Sequence, residues 1–130
     1  MRLYIIRHGE TSWNKAKRLQ GRKDIMLDAD GIRLAEKTGE GMQDIDFDLV
    51  ISSPLIRAKQ TAELVLAGRQ IPMITDKRII EMSFGKWEGE SVRESTVLPA
   101  DYVDKFYHDP YHCPKAPGGE SFQDVLNRTA

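Results

Sequence analysis

The chain has almost no cysteine, no long apolar run and almost no net charge. Its one cysteine, Cys113, excludes an internal disulfide and is typical of a protein from a reducing compartment. The apolar run that follows Met1 and Arg2 covers only residues 3–6, which is too short for a secretion signal or a membrane span. The net charge of −1 gives no electrostatic reason to expect a nucleic-acid or membrane partner. We therefore expect a cytoplasmic protein, and no feature of the sequence specifies its oligomeric state.

The composition is that of one folded domain with alternating strands and helices. Apolar residues make up 40% of the 130 residues and charged residues 30%, as in globular proteins rather than disordered chains. Strands are predicted at residues 3–6, 49–51 and 71–75, and helices at 28–38, 53–67, 99–107 and from 121 onward. The alternation predicts an α/β fold with a mostly parallel sheet flanked by helices on both faces.

Helix caps and strand patterns make these predictions specific. The run at residues 3–6 has no polar alternation, so we expect a strand that is buried on both faces, and 49–51 has the same pattern. Asp28 or Asp30 is expected to cap the first long helix, and Ser53 the next one, with Pro54 in its first position. Ser121 can cap a last helix, which has no stop signal before Ala130. Because so few strands precede that helix, the fold is expected to be incomplete at its C-terminus.

The first predicted strand leads directly into Arg7, His8 and Gly9. In open α/β sheets, ligands bind at the carboxyl ends of strands. An imidazole there can act as a nucleophile, an acid or base, or a metal ligand, and an arginine beside it can bind phosphate oxygens. A histidine that serves only the structure is the alternative.

Two further side chains have the right chemistry in the right kind of place. Arg57 lies in the first turn of a predicted helix, where a bound anion would compensate its unfavourable interaction with the helix dipole. The alternative is a solvated arginine. Glu81 lies among apolar residues, and partial burial would favour the proton-donating form of its carboxyl group. The alternative is a surface carboxylate that pairs with Arg78 or Lys86.

Five stretches together resemble the histidine phosphatase superfamily, the phosphoglycerate mutase-like family. They occur in the family's order along essentially the whole chain, and they read RHGETSWN (7–14), RLQG (18–21), SSPLIRAKQTA (52–62), IIEMSFGKWEG (79–89) and PGGES (117–121). The resemblance implies the phosphoglycerate mutase-like α/β fold, with residues 1–130 forming the N-terminal two-thirds of one such domain.

The resemblance also implies a role for each matched residue. His8 would be the nucleophile that forms a phosphohistidine, and Arg7 and Arg57 would bind the phosphoryl group. Glu81 would donate a proton to the leaving oxygen and then accept one from water. The side chain or backbone of three residues would contact the rest of the substrate: Asn14, Gln20 and Gly21. The resemblance implies neither a metal nor another cofactor.

One element of the family pattern has no match. The family's second histidine follows a late strand, whereas His108 and His112 occur too early in the chain to take that role. We therefore expect the missing residue to lie beyond position 130, and the chain to be a fragment with weak or no activity of its own. A metal site made of His108, His112 and Cys113 is a minor alternative, because Pro110 interrupts helical spacing and no second cluster completes four ligands.

The sequence therefore predicts a phosphatase for a small soluble phosphate monoester. Phosphoglycerate mutase and alpha-ribazole phosphatase activity are alternatives that use the same residues, and a catalytically impaired module that binds a phosphorylated ligand is another. The segment from Ser91 to Tyr111 is the expected source of substrate selectivity, because its aromatic residues could line a pocket mouth.

Overall fold

The computed structural model describes residues 1–130, which form two compact units. The first unit consists of residues 1–12 and 25–77, and the second of residues 13–24 and 78–130. The helices are α1 (Ser12–Lys15), α2 (Ala29–Gly41), α3 (Ile56–Leu66), α4 (Tyr102–His108) and α5 (Phe122–Thr129). The strands are β1 (Val50–Ser52) and β2 (Met73–Thr75), and short 3₁₀ turns cover 77–79, 85–87 and 110–112. None of these helices has the length and apolar character needed to cross a membrane.

The first unit contains a parallel β-α-β arrangement. Strands β1 and β2 pair in parallel, with Ile51 opposite Ile74, and α3 connects them. Parallel strands require a crossover of this kind, because a tight hairpin can only join antiparallel ones. The parallel strands and the helical connection confirm the predicted α/β class.

Helix α2 has the cap that the sequence predicts. The side chain of Asp28 accepts a hydrogen bond from the backbone N–H of Gly31 at 2.9 Å, which satisfies one of the free donors of the first turn. Helices α2 and α3 pack closely at Gly39, where a Cβ atom would lie 2.8 Å from the carbonyl oxygen of Val65. The absence of a side chain at this position therefore permits the close approach of the two helices.

The predicted start of α3 is wrong. The helix begins at Ile56, with Leu55 as an N-cap that makes no side-chain hydrogen bond, rather than with Ser53 as the cap and Pro54 as its first residue. The hydroxyl of Ser53 instead accepts a weak hydrogen bond from the N–H of Leu55 at 3.4 Å, so it stabilises a turn before the helix. Arg57 still lies in the first turn. The predicted end of α3 at residue 67 is close to the observed end at Leu66. The next two residues, Ala67 and Gly68, have left-handed backbone conformations that end the helix.

The strand predicted at residues 3–6 is absent. The sheet has two strands, and residues 3–6 pair with neither, so this segment lacks the backbone ladder that defines a strand. Leu3 and Ile5 are 74% and 88% exposed, in contrast to the expected burial on both faces. Ile51 of β1 is also half exposed, because a sheet of two strands leaves one of its faces open at this position. The apolar pattern predicted a burial that the structure does not show at these positions.

The second unit has its own aromatic core. Its buried residues are Met82, Phe84, Trp87, Tyr102 and Ala116, and half-buried side chains from α4 and α5 pack against them. Helix α4 starts at Tyr102 rather than at Pro99, and it ends before Pro110 as expected. Ser121 caps α5 as predicted, in a reciprocal capping box with Asp124.

Candidate active site

His8 is held by its own neighbour. Its Nδ1 atom lies 2.7 Å from the carbonyl oxygen of Gly9. Because a carbonyl oxygen can only accept a hydrogen bond, Nδ1 carries the ring hydrogen in this contact. The half-buried imidazole is then left with its lone pair on Nε2, the nitrogen that a nucleophile needs.

Arg57 lies against that nitrogen. Its Nε atom donates a hydrogen bond to Nε2 of His8 at 3.3 Å, although 49 positions separate the two residues in the chain. The Arg57 side chain is 1% exposed, so its positive charge is removed from water. A phosphate dianion bound beside His8 would be attracted to this guanidinium. The structure thus brings together two of the residues that the sequence singled out.

The sequence did not identify Thr61 as part of this arrangement. Its hydroxyl donates to the carbonyl oxygen of Arg57 at 2.7 Å and accepts from the N–H of Gly9 at 3.0 Å. It therefore links the residue after His8 to α3, one turn beyond Arg57. Threonine side chains often bond to backbone groups in helices, so the residue type alone gives no signal of this role.

We expect Thr61→Val to weaken this link. Valine has nearly the same shape but cannot accept the hydrogen bond, so the buried N–H of Gly9 would remain unpaired. The free energy of unfolding should fall by about 1–3 kcal/mol, measured by urea denaturation. Thr61→Ser keeps the hydroxyl and is the control, with a loss of about 1 kcal/mol for the missing methyl group. Equal stability of the valine variant and the native chain would contradict the role of this bond.

Gly9 is required by backbone packing. A Cβ atom on Gly9 would lie 2.7 Å from the carbonyl oxygen of Gly31, and one on Gly31 would lie 2.2 Å from the carbonyl oxygen of Glu10. The segment after His8 therefore packs directly on the first turn of α2. The neighbouring helix is thus a structural reason for glycine at position 9.

The remaining predicted cation of the site is Arg7. Its side chain is exposed, in contrast to the buried Arg57. An exposed guanidinium keeps its rotational freedom and can close on a ligand, whereas Arg57 is already fixed before binding. The side chain of Arg57 is thus fixed before a ligand binds, whereas the side chain of Arg7 is not.

Glu81 lies in the second unit, and the structure leaves it exposed, so the expected partial burial is wrong. In this extended segment the side chains alternate, and Met82 and Phe84 form part of the core while Glu81 faces solvent. Its Oε1 atom accepts a hydrogen bond from the N–H of Met82 at 2.8 Å. The carboxylate is therefore held against its own backbone.

The three predicted substrate contacts also lie in the second unit. Asn14 is half-buried in α1, and Gln20 is buried, with 8% of its surface exposed. Gly21 has a positive φ of 52°, and a Cβ atom there would lie 2.4 Å from Oε1 of Glu88. That carboxylate accepts from the N–H groups of Arg22 and Phe84, so Gly21 is needed for a tight turn around it.

Two groups of side chains contain residue types that can ligate a metal ion. His108 and His112 donate from Nδ1 to Asp104 and Asp109 at 2.9 and 2.8 Å, and each pair is exposed. In the second group, carboxylate oxygens of Glu10, Asp28 and Asp30 lie within 4.8 Å of one another. Asp28 caps α2, and Asp30 forms an ion pair with Arg33.

A parallel α/β unit that places an imidazole against a buried guanidinium has the chemistry of an anion-binding site. The comparisons with known proteins give the family. The model of the histidine phosphatase superfamily (branch 1) matches residues 3–130. The chain belongs to this superfamily, which confirms the resemblance that its motifs indicate.

Relatives and solved structures agree with this assignment. The chain is 39% identical over 124 residues to the uncharacterized phosphatase PhoE of Bacillus subtilis, an alignment that covers 95% of this chain and 58% of PhoE. It is 34% identical to the probable phosphoglycerate mutase GpmB of Proteus mirabilis, with 98% of this chain and 59% of GpmB covered. A structure of a putative alpha-ribazole-5'-P phosphatase from Escherichia coli superimposes with a TM-score of 0.82 at 36% identity, covering 95% of this chain and 60% of that one. The chain thus spans about three-fifths of the length of these proteins, and the match confirms the predicted phosphoglycerate mutase-like fold class.

Proposed function

We propose that this protein hydrolyses a small soluble phosphate monoester through a phosphohistidine at His8. The observation that supports this most strongly is the contact between Nε2 of His8 and the buried guanidinium of Arg57. It joins the candidate nucleophilic atom to a cation that is fixed in advance. Phosphoryl transfer depends mainly on such positioning and on positive charge around the phosphoryl oxygens.

In the first step, the lone pair on Nε2 of His8 attacks the phosphorus atom. The N–P bond forms while the bond to the ester oxygen breaks, and the leaving oxygen takes its electron pair with it. Arg57 and Arg7 are proposed to balance the charge on the phosphoryl oxygens. Glu81, assigned by the family resemblance, donates a proton to the leaving oxygen so that it departs as an alcohol.

In the second step, water hydrolyses the phosphohistidine. The Glu81 carboxylate takes a proton from the water molecule, whose oxygen attacks phosphorus, and the N–P bond breaks. Inorganic phosphate leaves, and the electron pair returns to Nε2 of His8. One carboxyl group thus serves as acid and then as base. Asn14, Gln20 and Gly21 are proposed to contact the part of the ester that departs.

The names of the relatives include both phosphatases and mutases, so they support a broader reaction class than the hydrolysis proposed here. PhoE is named as a phosphatase and GpmB as a probable phosphoglycerate mutase, and both align over nearly the whole of this chain. We favour hydrolysis because the sequence shows none of the longer insertions associated with the glycolytic mutases. Mutase and alpha-ribazole phosphatase activity are the alternatives. A cytoplasmic location, a single domain through residues 1–130 and the lack of nucleic-acid or membrane partners stay predictions.

Rapid mixing with p-nitrophenyl phosphate tests the proposal. With metal ions chelated, we expect a burst of p-nitrophenolate of up to one equivalent per chain, and a protein-bound phosphate that acid removes and alkali does not. A phosphate that survives acid, as a serine ester does, would contradict the assignment. Phosphate binding without a burst would favour the module that only binds a phosphorylated ligand.

A further inference from the structure

The second unit contains a charged network around the backbone of Glu81. Its members are the carboxylate of Glu120 and the guanidiniums of Arg22 and Arg128. We refer to these three residues as the clamp. They come from distant parts of the sequence, and the sequence analysis assigned no role to any of them.

Glu120 lies at the centre of the clamp. Its Oε1 atom accepts from Arg22 at 2.8 Å and from Nε of Arg128 at 2.9 Å. Its Oε2 atom accepts from the N–H of Ser83 at 3.0 Å, and its own N–H donates to the carbonyl oxygen of Ser83 at 2.8 Å. Burial raises the pKa of the Glu120 carboxyl, but the hydrogen bonds from Arg128 and Ser83 and the charges of Arg22 and Arg128 together outweigh burial, so its net pKa lies below the usual range. The carboxylate is therefore ionised at neutral pH.

The two arginines hold the other side of the segment. Arg128 donates to the carbonyl oxygens of Arg78 and Ile80, both at 2.6 Å, and Nε of Arg22 donates to the carbonyl oxygen of Glu81 at 3.3 Å. The clamp thus makes hydrogen bonds to backbone groups of four residues around the carboxylate: Arg78, Ile80, Glu81 and Ser83. These contacts are charge-assisted, and such hydrogen bonds are stronger than neutral ones.

An exposed carboxylate on an extended segment needs such support. Glu81 lies outside any helix or strand, and its side chain is exposed. Buried neighbours fix the segment on one face through Met82 and Phe84. The clamp holds the carbonyl groups of Arg78, Ile80 and Glu81, so the backbone at Glu81 is held by charge as well as by packing.

We propose that Arg22, Glu120 and Arg128 are positioning residues that hold Glu81 in the orientation needed for proton transfer. This inference rests on the proposed function, in which Glu81 protonates the leaving oxygen. A positioned acid matters most for a poor leaving group, because an alkoxide must be protonated as it leaves whereas p-nitrophenolate is stable without a proton.

The test compares two substrates and three variants in the full chain. Arg128→Met removes the guanidinium but keeps most of the apolar stem, and Arg22→Met is a milder variant because its side chain is 38% exposed. Lys115→Met is the matched control, since it removes an exposed ion pair with Asp124 on the same helix as Arg128. For Arg128→Met we expect kcat/KM for glycerol phosphate to fall on the order of 10²-fold, with a change of less than about threefold for p-nitrophenyl phosphate. Equal losses for both substrates, or no loss, would overturn the proposal.

Amide hydrogen exchange provides a readout that does not need turnover. Exchange of the Met82 and Ser83 amides should accelerate in Arg128→Met and, to a smaller extent, in Arg22→Met, and stay unchanged in Lys115→Met. Unchanged exchange in Arg128→Met would overturn the proposal even if activity falls. If the native chain forms no phosphohistidine, the proposed function fails, and accelerated exchange would still support the clamp as the support of this segment.

Discussion

His8→Ala is expected to abolish the burst of p-nitrophenolate and to lower turnover by about 10³-fold or more. The imidazole is the group whose Nε2 forms the N–P bond, and alanine offers no atom that could replace it. Pre-steady-state mixing and steady-state assays with p-nitrophenyl phosphate measure both quantities. Affinity for inorganic phosphate should change much less, because Arg57 and Arg7 remain.

The chain provides matched controls for this substitution. His108 and His112 are exposed histidines in the second unit, and each pairs with an aspartate. His108→Ala and His112→Ala should leave the burst and the turnover within about twofold of the native values, as is usual for surface substitutions. A burst that survives in His8→Ala, or that disappears in His112→Ala, would contradict the assignment of the nucleophile.

Loss of the Arg57 guanidinium is expected to have the next largest effect. In Arg57→Met, kcat/KM for p-nitrophenyl phosphate should fall by about 10² to 10³-fold, the usual cost of removing one fixed donor from a charged transition state. The same substitution removes the hydrogen bond to Nε2 of His8. Both the rate of the burst and the dissociation constant for inorganic phosphate should therefore change, as measured by rapid mixing and by calorimetry.

Two further variants separate charge from geometry. Arg57→Lys keeps the positive charge but has no Nε–H and no planar fork, so we expect it to recover only a small part of the lost rate. Arg33→Met removes an exposed arginine on α2 that pairs with Asp30, and it should have no effect on turnover. A lysine variant as active as the native chain would show that charge alone is sufficient. Such a result would contradict the importance of the His8–Arg57 contact.

Local chemistry made the helix caps and the two site residues predictable. Asp28 and Ser121 are strong N-cap residues beside helical patterns, and both form the expected bonds. His8 was singled out because it follows a predicted strand, and Arg57 because it lies in the first turn of a predicted helix. That reasoning succeeded for Arg57 although α3 starts later than predicted, because a small shift keeps the residue in the first turn.

The remaining features depend on tertiary context. Residues 3–6 have an apolar pattern typical of a buried strand, but burial depends on neighbours that sequence periodicity does not report. The apolar neighbours of Glu81 point into the core while its own side chain points out, which is a property of the extended backbone. Thr61 and Glu120 act through hydrogen bonds to residues 52 and 37 positions away, Gly9 and Ser83, so their residue types alone gave no signal.

The attachment site of the phosphoryl group tests the central claim most directly. The hydrogen bond from Nδ1 of His8 to Gly9 places the lone pair of the ring on Nε2, the proposed nucleophilic atom. NMR of the alkaline-quenched protein, labelled with ¹⁵N in its histidine rings, should show phosphorus coupled to Nε2 of one histidine, and the signal should be absent from His8→Ala. Coupling to Nδ1, or a signal that persists in His8→Ala, would contradict this account.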